Sequence, residues 1–207
     1  VVKDPCWGLP ALPRLDLPQQ PFRHLAWFRR ADAEIFFGRS AEIRTLYDRI
    51  DDPDEAPIIL LYGQSGVGKS SLLEAGLLPR LERDYLPHYV RRDREAGLAA
   101  TLEAKLCART TNRDLRTVWL AHEQRQQKPL VAILDQVEEA FTRPQPAPTA
   151  TTVATSAAGT TLQSEMDHFL RTLQPLLQER SQRPRGKLIL GFRKEYLAEI
   201  EDQLAPR

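Results

Sequence analysis

The sequence is poor in the features that mark several large classes of protein. It has two cysteines, Cys6 and Cys107, which lie far apart and lack the spacing of metal ligands. Such usage argues against a disulfide framework and predicts a reducing compartment, so we expect a cytoplasmic protein. No apolar run approaches the roughly 18 residues of a membrane-spanning helix, and the sequence therefore predicts no membrane span.

Charge and histidine content also limit the expected partners. The net charge is +1, which gives no electrostatic reason to expect a nucleic-acid partner. The four histidines are scattered without a metal-binding pattern and are interpreted as ordinary surface or core residues. The chain begins with valine and shows no signal-peptide pattern, so we expect a piece of a longer polypeptide.

Composition divides the chain into three kinds of segment. Residues 1–20 contain closely spaced prolines, which disfavour helix and sheet and predict a linker or N-terminal extension. Residues 21–207 have the mixed apolar and charged composition of one α/β domain. Within this domain, residues 143–161 are a low-complexity Pro/Ala/Thr segment, which we predict to be a mobile loop because it can bury little apolar surface.

Residues 58–71 carry the signal around which the chain is organised. Residues 58–62 are apolar and predict a buried strand, and residues 63–70 match the phosphate-loop pattern G-x-x-x-x-G-K-S. Glycines in such a loop let successive backbone N–H groups converge on phosphate oxygens, and the following helix directs its positive end at the same anion. The alternative interpretation is a glycine-rich turn with an incidental lysine.

On the nucleotide interpretation, two side chains of the loop have defined chemical roles. Lys69 reaches the β- and γ-phosphates, and the Ser70 hydroxyl ligates Mg²⁺. The predicted nucleotide-binding residues of the loop are Gly63, Gln64, Ser65, Gly66, Val67, Gly68, Lys69, Ser70 and Ser71.

A second apolar run supplies the acids that a nucleotide hydrolase needs. Residues 130–134 predict a strand that ends in Asp135, the Walker B arrangement, whose carboxylate holds Mg²⁺. Glu138 and Glu139 follow within reach of a γ-phosphate, and either is a candidate to activate the attacking water. Their alternative role is to favour the first turn of a following helix, where acidic residues are common.

Arg193 comes directly after the last apolar strand, which is predicted at residues 187–192. In a parallel sheet this position lies at the edge where ligands bind, so we predict that Arg193 faces the γ-phosphate. The alternative is a solvated arginine beside Lys194.

Apolar strands alternate with helical stretches along the chain. The periodicity predicts helices around residues 43–50, 98–106, 115–122, 162–177 and 195–204, and a weaker strand at residues 85–90. The helix after the phosphate loop is expected to stop or kink near Pro79. This alternation predicts an α/β fold of the P-loop NTPase type, with three α/β/α layers and a mainly parallel central sheet.

Four phrases of the sequence, taken in order, resemble one family. They are FFGRS at 36–40, SLLEAGLLPRL at 71–81, DQVEEAF at 135–141 and FRKEYL at 192–197. Together they resemble the STAND ATPases, which are signal-transduction P-loop ATPases of the AAA+-related branch, and above all the bacterial novel STAND type-1 NTPase domain. The resemblance covers roughly residues 21–200 and departs from the family phrase at Ser40.

The resemblance implies a molecular switch with slow ATPase turnover. ATP or ADP would lie between this domain and a following winged-helix domain, while a sensor region holds the protein closed. A trigger would then permit nucleotide exchange and homo-oligomerisation, and an attached effector would act in bacterial signalling or antiviral defence. The winged-helix, sensor and effector regions would belong to other parts of the same polypeptide. By the same resemblance, Phe36, Phe37 and Gly38 would lie near the adenine.

Other nucleotide-binding classes fit parts of the sequence. A GTPase is disfavoured because the N-K-x-D motif is absent, and a transporter ATPase because the L-S-G-G-Q signature is absent. A small-molecule P-loop kinase remains an alternative, because the loop and the magnesium acid do not fix the phosphate acceptor. The remaining alternative is a scaffold that binds ATP with negligible turnover.

Overall fold

Four parallel strands form the centre of the fold in a computed structural model, which describes residues 6–17, 26–107, 114–143, 165–177 and 183–204. The strands are β1 (Ile58–Gly63), β2 (Leu86–Arg91), β3 (Leu130–Asp135) and β4 (Lys187–Arg193). The described α-helices are α1 (Ser40–Asp51), α2 (Lys69–Ser71), α3 (Leu78–Leu81), α4 (Gly97–Leu106), α5 (Leu115–Gln126), α6 (Glu139–Thr142), α7 (Glu165–Leu177) and α8 (Leu197–Leu204). A π-helical segment (Leu72–Leu77) joins α2 to α3, and 3₁₀ turns (Arg30–Ile35 and Lys194–Tyr196) precede α1 and α8.

The strand register gathers the residues of the predicted site at one edge of the sheet. The strand order is β1-β4-β3-β2. Gly63 at the end of β1 pairs with Arg193 at the end of β4. Asp135 at the end of β3 lies between Gly191 on β4 and Arg91 on β2. Because the strands are parallel, this edge carries their carboxyl ends, which is where ligands bind in open α/β sheets.

Helices cover both faces of the sheet. One face packs against α4, α5, α7 and α8 through strand residues such as Leu134, Leu190 and Phe192. The opposite face packs against α1, the π-helical segment and α3 through Ile59 and Ile133. Side chains alternate between the faces along each strand, so a strand covered on both sides needs a continuous apolar run. This arrangement confirms the predicted three-layer α/β/α fold.

The prediction that β1 is a buried strand is wrong for part of its length. In the described sheet β1 lies at an edge and pairs with β4 alone. Ile59 is fully buried, but Tyr62 is 46% exposed. The local apolar pattern did not reveal this position, because strand order depends on pairing between segments that are distant in the sequence.

The helix after the phosphate loop passes through Pro79 and ends at Leu81, which agrees with the predicted stop or kink near Pro79. Within the π-helical segment hydrogen bonds reach back one residue further than in an α-helix, and the Leu78 N–H accordingly donates to the Leu73 carbonyl. A new α-helix, α3, begins directly after this segment at Leu78, so Pro79 lies in the first turn of α3. A proline is tolerated there because its missing N–H would have no partner within that helix.

The other predicted elements are found with ends shifted by a few residues, except that residues 162–164 of the helix predicted at 162–177 lie outside the described residues. Residues 144–161 of the predicted mobile loop lie outside the described residues. In the predicted N-terminal extension, residues 6–17 form no helix or strand; Cys6 and Leu9 pack against the core beside α1, whereas Trp7 is 76% exposed. None of the helices in the described part of the chain has the length and apolar character needed to cross a bilayer.

A buried carboxylate links the amino-terminal ends of the two central strands. Glu123 on α5 is 4% exposed. It accepts hydrogen bonds from the backbone N–H groups of Leu130 (3.0 Å), Arg185 (3.0 Å) and Gly186 (2.7 Å). Since Leu130 begins β3 and the other two residues lead into β4, one side chain fixes the entry of both central strands.

Candidate functional site

The phosphate loop combines left-handed glycines with a lysine folded into its centre. Gly66 and Gly68 have φ values of +77° and +88°, which any residue with a Cβ disfavours. Lys69 Nζ donates hydrogen bonds to the carbonyl oxygens of Gly63 (2.8 Å) and Gln64 (3.0 Å). An ammonium group has three N–H donors, so Lys69 retains one with which to contact an anion in the loop.

Charges of both signs surround Lys69. Burial is the main cause that lowers the pKa of Lys69, and the carboxylates of Glu138 and Asp135 oppose that shift. The nearby positive charge of Arg193 acts in the same direction as burial. Two cations therefore lie close to two carboxylates, which suits a ligand that carries both negative phosphates and a bound metal ion.

Asp135 and Ser70 form the contact that a magnesium-binding P-loop protein needs. Asp135 is 1% exposed, and Ser70 Oγ donates a hydrogen bond to Asp135 Oδ2 at 2.6 Å. Because the hydroxyl proton is directed at the carboxylate, the oxygen lone pairs of Ser70 remain available to a cation. A hydroxyl and a carboxylate are hard oxygen ligands, which is the chemistry that Mg²⁺ prefers.

The two oxygen ligands fit a metal ion that is shared with a substrate. Among the described residues there is no group of three or more histidine, cysteine, aspartate or glutamate side chains placed to bind a metal. Mg²⁺ characteristically takes one or two protein ligands and completes its shell with water and substrate phosphates. Ser70 and Asp135 fit that mode.

Glu138 and Arg193 meet across the cleft from the phosphate loop. Arg193 Nε lies 3.1 Å from Glu138 Oε1, and the two side chains are 48% and 6% exposed. Glu138 Oε2 is buried and has no hydrogen-bond partner among the described residues. Burial raises the pKa of Glu138, while Arg193 and Lys69 act to lower it. The carboxylate thus has one oxygen paired with Arg193 and one buried oxygen that has no partner among the described residues.

The two candidate glutamates differ in their surroundings. Glu138 is the N-cap residue of α6, but its side chain makes no capping hydrogen bond, so the alternative role as a helix cap does not describe its contacts. Glu139 lies in α6 with its carboxylate 3.5 Å from Arg143. Glu138 lines the cleft and Glu139 is not among the lining residues. The geometry therefore favours Glu138 as the residue that contacts a ligand.

These residues surround an open cleft of about 450 Å³, which is within the usual size of small-molecule sites. The described residues that line it are Ala26, Trp27, Phe28, Ser65, Gly66, Gly68, Lys69, Ser70, Ser71, Asp135, Gln136, Glu138 and Arg193. The structure thus brings six of the predicted loop residues, Asp135, Glu138 and Arg193 to one cleft, whereas Gly63, Gln64 and Val67 are not among its described lining residues.

Phe36, Phe37 and Gly38 are not among the described residues that line the cleft. The Phe36 ring packs against Phe28 with 5.6 Å between centroids, and Phe37 is 80% exposed. The next residue, Arg39, donates a hydrogen bond to the Val67 carbonyl and so supports the outer side of the phosphate loop. Contact between Phe36–Gly38 and an adenine stays a prediction.

Several residues at the site were not identified from the sequence. Phe28 N–H donates to Ser71 Oγ at 3.1 Å, and Trp27 Nε1 donates to Glu74 at 2.9 Å, so this segment is fixed against the helix after the loop. Tyr89 Oη donates to Asp135 Oδ2 at 2.7 Å. Tyr89 and Trp27 belong to no motif, and the one signal that could have indicated Tyr89 is a polar aromatic within a predicted strand.

Comparison with known proteins agrees with the resemblance drawn from the four phrases. The family model described as Novel STAND NTPase 1 matches residues 21–206, which is nearly the whole chain. A search of curated proteins found no match.

Proposed function

The chain belongs to the Novel STAND NTPase 1 family, and from this premise we propose that it binds Mg-ATP or Mg-ADP in the cleft and hydrolyses ATP. The family supports nucleotide hydrolysis in general. The proposal of Mg-ATP binding and ATP hydrolysis rests on one observation. Lys69, Ser70, Asp135 and Glu138 line the same cleft, at the carboxyl ends of the strands.

Each of these side chains has a distinct part in the proposed binding. The backbone N–H groups of the phosphate loop and the Lys69 ammonium bind the β- and γ-phosphates. Ser70 Oγ would ligate the metal, and Asp135, which accepts a hydrogen bond from Ser70 Oγ, would hold it through this contact. Mg²⁺, when bound, neutralises charge on the phosphates and orients them.

Glu138 is the proposed general base. Its carboxylate accepts a proton from a water molecule while the water oxygen attacks the γ-phosphorus, and the bond to the β–γ bridging oxygen breaks to give ADP and phosphate. Burial raises the pKa of Glu138, which brings its basicity closer to the operating pH and favours proton acceptance. Arg193 pairs with Oε1 of this carboxylate and orients it.

Arg193 is also the proposed sensor of the γ-phosphate. It lies at the end of β4 and lines the cleft, and its planar guanidinium can grip two oxygens at once. ATP offers Arg193 a γ-phosphate as a further partner, whereas ADP does not. The nucleotide would thus change the placement of Arg193 and of the segment that follows it.

The wider role rests on the family resemblance. We propose a switch domain of a multidomain cytoplasmic protein, in which the nucleotide state controls homo-oligomerisation and an effector through winged-helix and sensor regions. Bacterial signalling or antiviral defence is the biological setting that this resemblance supports.

Phosphate release under multiple turnover tests the activity. The purified chain is incubated with ATP and Mg²⁺, with and without candidate acceptors such as nucleosides and sugars. We expect phosphate release without any acceptor. Transfer that requires an acceptor would indicate a P-loop kinase, and ATP binding without release would indicate a scaffold; either result contradicts the hydrolase proposal.

A further inference from the structure

Tyr89 lies next to the proposed metal site without belonging to any of its motifs. It stands on β2, where it pairs in register with Ile133 on the neighbouring strand β3. Asp135 follows Ile133 by two residues on β3, and residues two apart on a strand share a face. Tyr89 and Asp135 therefore both project from the face that carries the phosphate-loop helix. Tyr89 Oη reaches Asp135 Oδ2 at 2.7 Å.

We propose that Tyr89 is a positioning residue for the metal site: its hydroxyl fixes the rotation of the Asp135 carboxylate, so that Asp135 in turn directs the Ser70 hydroxyl. This inference rests on the proposed function of the site as a magnesium-nucleotide site. It assigns Tyr89 a role in metal affinity and no direct contact with the nucleotide.

The contacts of the carboxylate show how it is held. Oδ2 accepts hydrogen bonds from Ser70 Oγ at 2.6 Å and from Tyr89 Oη at 2.7 Å. Oδ1 accepts a hydrogen bond from the Gln136 backbone N–H at 2.9 Å. The torsion about which an aspartate carboxylate rotates has a broad, shallow energy minimum. Hydrogen bonds to both oxygens therefore hold the Asp135 carboxylate in one orientation.

The fourth side of the carboxylate is closed by β4. A Cβ at Gly191 would lie 2.9 Å from Asp135 Oδ1, so only a glycine leaves room for the observed orientation. With Gly191 on one side and Tyr89 on the other, the carboxylate is confined between its two neighbouring strands. Removing the Tyr89 hydroxyl leaves Oδ2 of Asp135, a residue that is 1% exposed, with Ser70 as its one donor among the described residues.

The Tyr89→Phe variant tests the role, because it removes the hydroxyl and keeps the ring. The readout is the Mg²⁺ concentration that half-saturates binding of a fluorescent ATP analogue, measured beside the affinity for that analogue in EDTA. Partners of metal ligands typically contribute about 10–100-fold to metal affinity. We expect Tyr89→Phe to raise the half-saturating Mg²⁺ concentration about tenfold and to leave the metal-free affinity unchanged.

Tyr85→Phe is the matched control. Tyr85 is 7% exposed and donates to Asp51 Oδ1 at 2.6 Å, so this substitution deletes a comparable tyrosine–aspartate hydrogen bond away from the cleft. It should change neither the Mg²⁺ dependence nor the metal-free affinity. A general loss of packing would lower both affinities in either variant, which separates a structural role from the proposed one.

The outcomes distinguish this inference from the proposed function. If Tyr89→Phe matches the parent in Mg²⁺ dependence, while Asp135→Ala loses it, the inference is wrong and the metal site stands. If the parent itself binds no nucleotide with Mg²⁺, the proposed function fails and the inference with it. If Tyr89→Phe does not fold, the Mg²⁺ dependence of Tyr89→His is compared with that of Tyr89→Leu, because of these two only histidine keeps a hydrogen-bond donor. Equal Mg²⁺ dependence in the two variants overturns the inference.

Discussion

Replacing Glu138 with glutamine separates nucleotide binding from hydrolysis. Glutamine has nearly the same shape but cannot accept the proton of the attacking water, so we expect binding to persist and turnover to fall. A general base typically contributes about 10²–10⁴-fold to a rate. This loss corresponds to about 3–5 kcal/mol of barrier, at about 1.36 kcal/mol per tenfold change.

The fold should tolerate this substitution. The ion pair with Arg193 is lost, but the Arg193 side chain is 48% exposed, and pairs with such solvent access contribute only about 0.2–1 kcal/mol. Burial also raises the pKa of Glu138, which means that its negative charge is unfavourable in the folded protein. Because the two effects oppose each other, the free energy of unfolding should change by less than about 1 kcal/mol.

The pH dependence provides a second readout with a defined sign. Since the folded-state pKa of Glu138 is raised above the ordinary value of 4.5, its contribution to stability is present below that value and is lost as the pH rises through the folded pKa. Turnover changes in the opposite direction, because a base acts only when ionised, so kcat rises over the same window. Both dependences should disappear in Glu138→Gln.

Glu139→Gln is the matched control for the assay, which combines single-turnover phosphate release with calorimetry of ATP binding. Glu139 is the neighbouring residue, but its carboxylate lies 3.5 Å from Arg143 and is not among the groups that line the cleft. The control should hydrolyse ATP as the parent does. If Glu138→Gln keeps the parent rate, or if Glu139→Gln alone loses it, the assignment of Glu138 as the base is wrong.

Three further substitutions have distinct expected outcomes. Arg193→Ala should narrow the difference between ATP and ADP affinities in calorimetry by about 1–3 kcal/mol, a typical coupling energy; an unchanged ratio would contradict the sensor role. Gly191→Ala should weaken Mg²⁺-dependent binding and spare metal-free binding, because its methyl group would approach Asp135 to 2.9 Å; loss of both would contradict this. Glu123→Ala should lower the free energy of unfolding by at least about 1–3 kcal/mol, the cost of one buried donor left without an acceptor. An unchanged free energy of unfolding in denaturant titration would contradict this expectation.

The fold and the contiguous parts of the site could be predicted from the sequence because their signals are local. The phosphate loop lies between an apolar strand and a helix, and the run that ends in Asp135 reads directly as a buried strand with an acid at its end. Such runs fix the type of each element and the edge at which it ends. That is enough to place Lys69, Asp135 and Arg193 together in a parallel sheet.

The rest of the site depends on contacts between segments that are distant in the sequence. Tyr89 and Asp135 meet because β2 and β3 pair in one particular register, and Gly191 matters because β4 lies on the other side of β3. The choice between Glu138 and Glu139 depends on how the chain turns after Gln136, whose φ of +64° no pattern indicated. The sequence alone left both glutamates as candidates for this reason.

Calorimetry of Mg-ATP binding to Lys69→Ala tests the central claim most directly. Lys128→Ala is the control, because Lys128 Nζ also donates to a backbone carbonyl, that of Glu82 at 3.1 Å, but Lys128 is not among the residues lining the cleft. The account predicts that the parent and Lys128→Ala bind Mg-ATP alike, and that Lys69→Ala loses most of the affinity while its melting temperature stays close to the parent value. Unchanged Mg-ATP affinity in a folded Lys69→Ala protein would contradict the assignment of residues 63–71 as the nucleotide site.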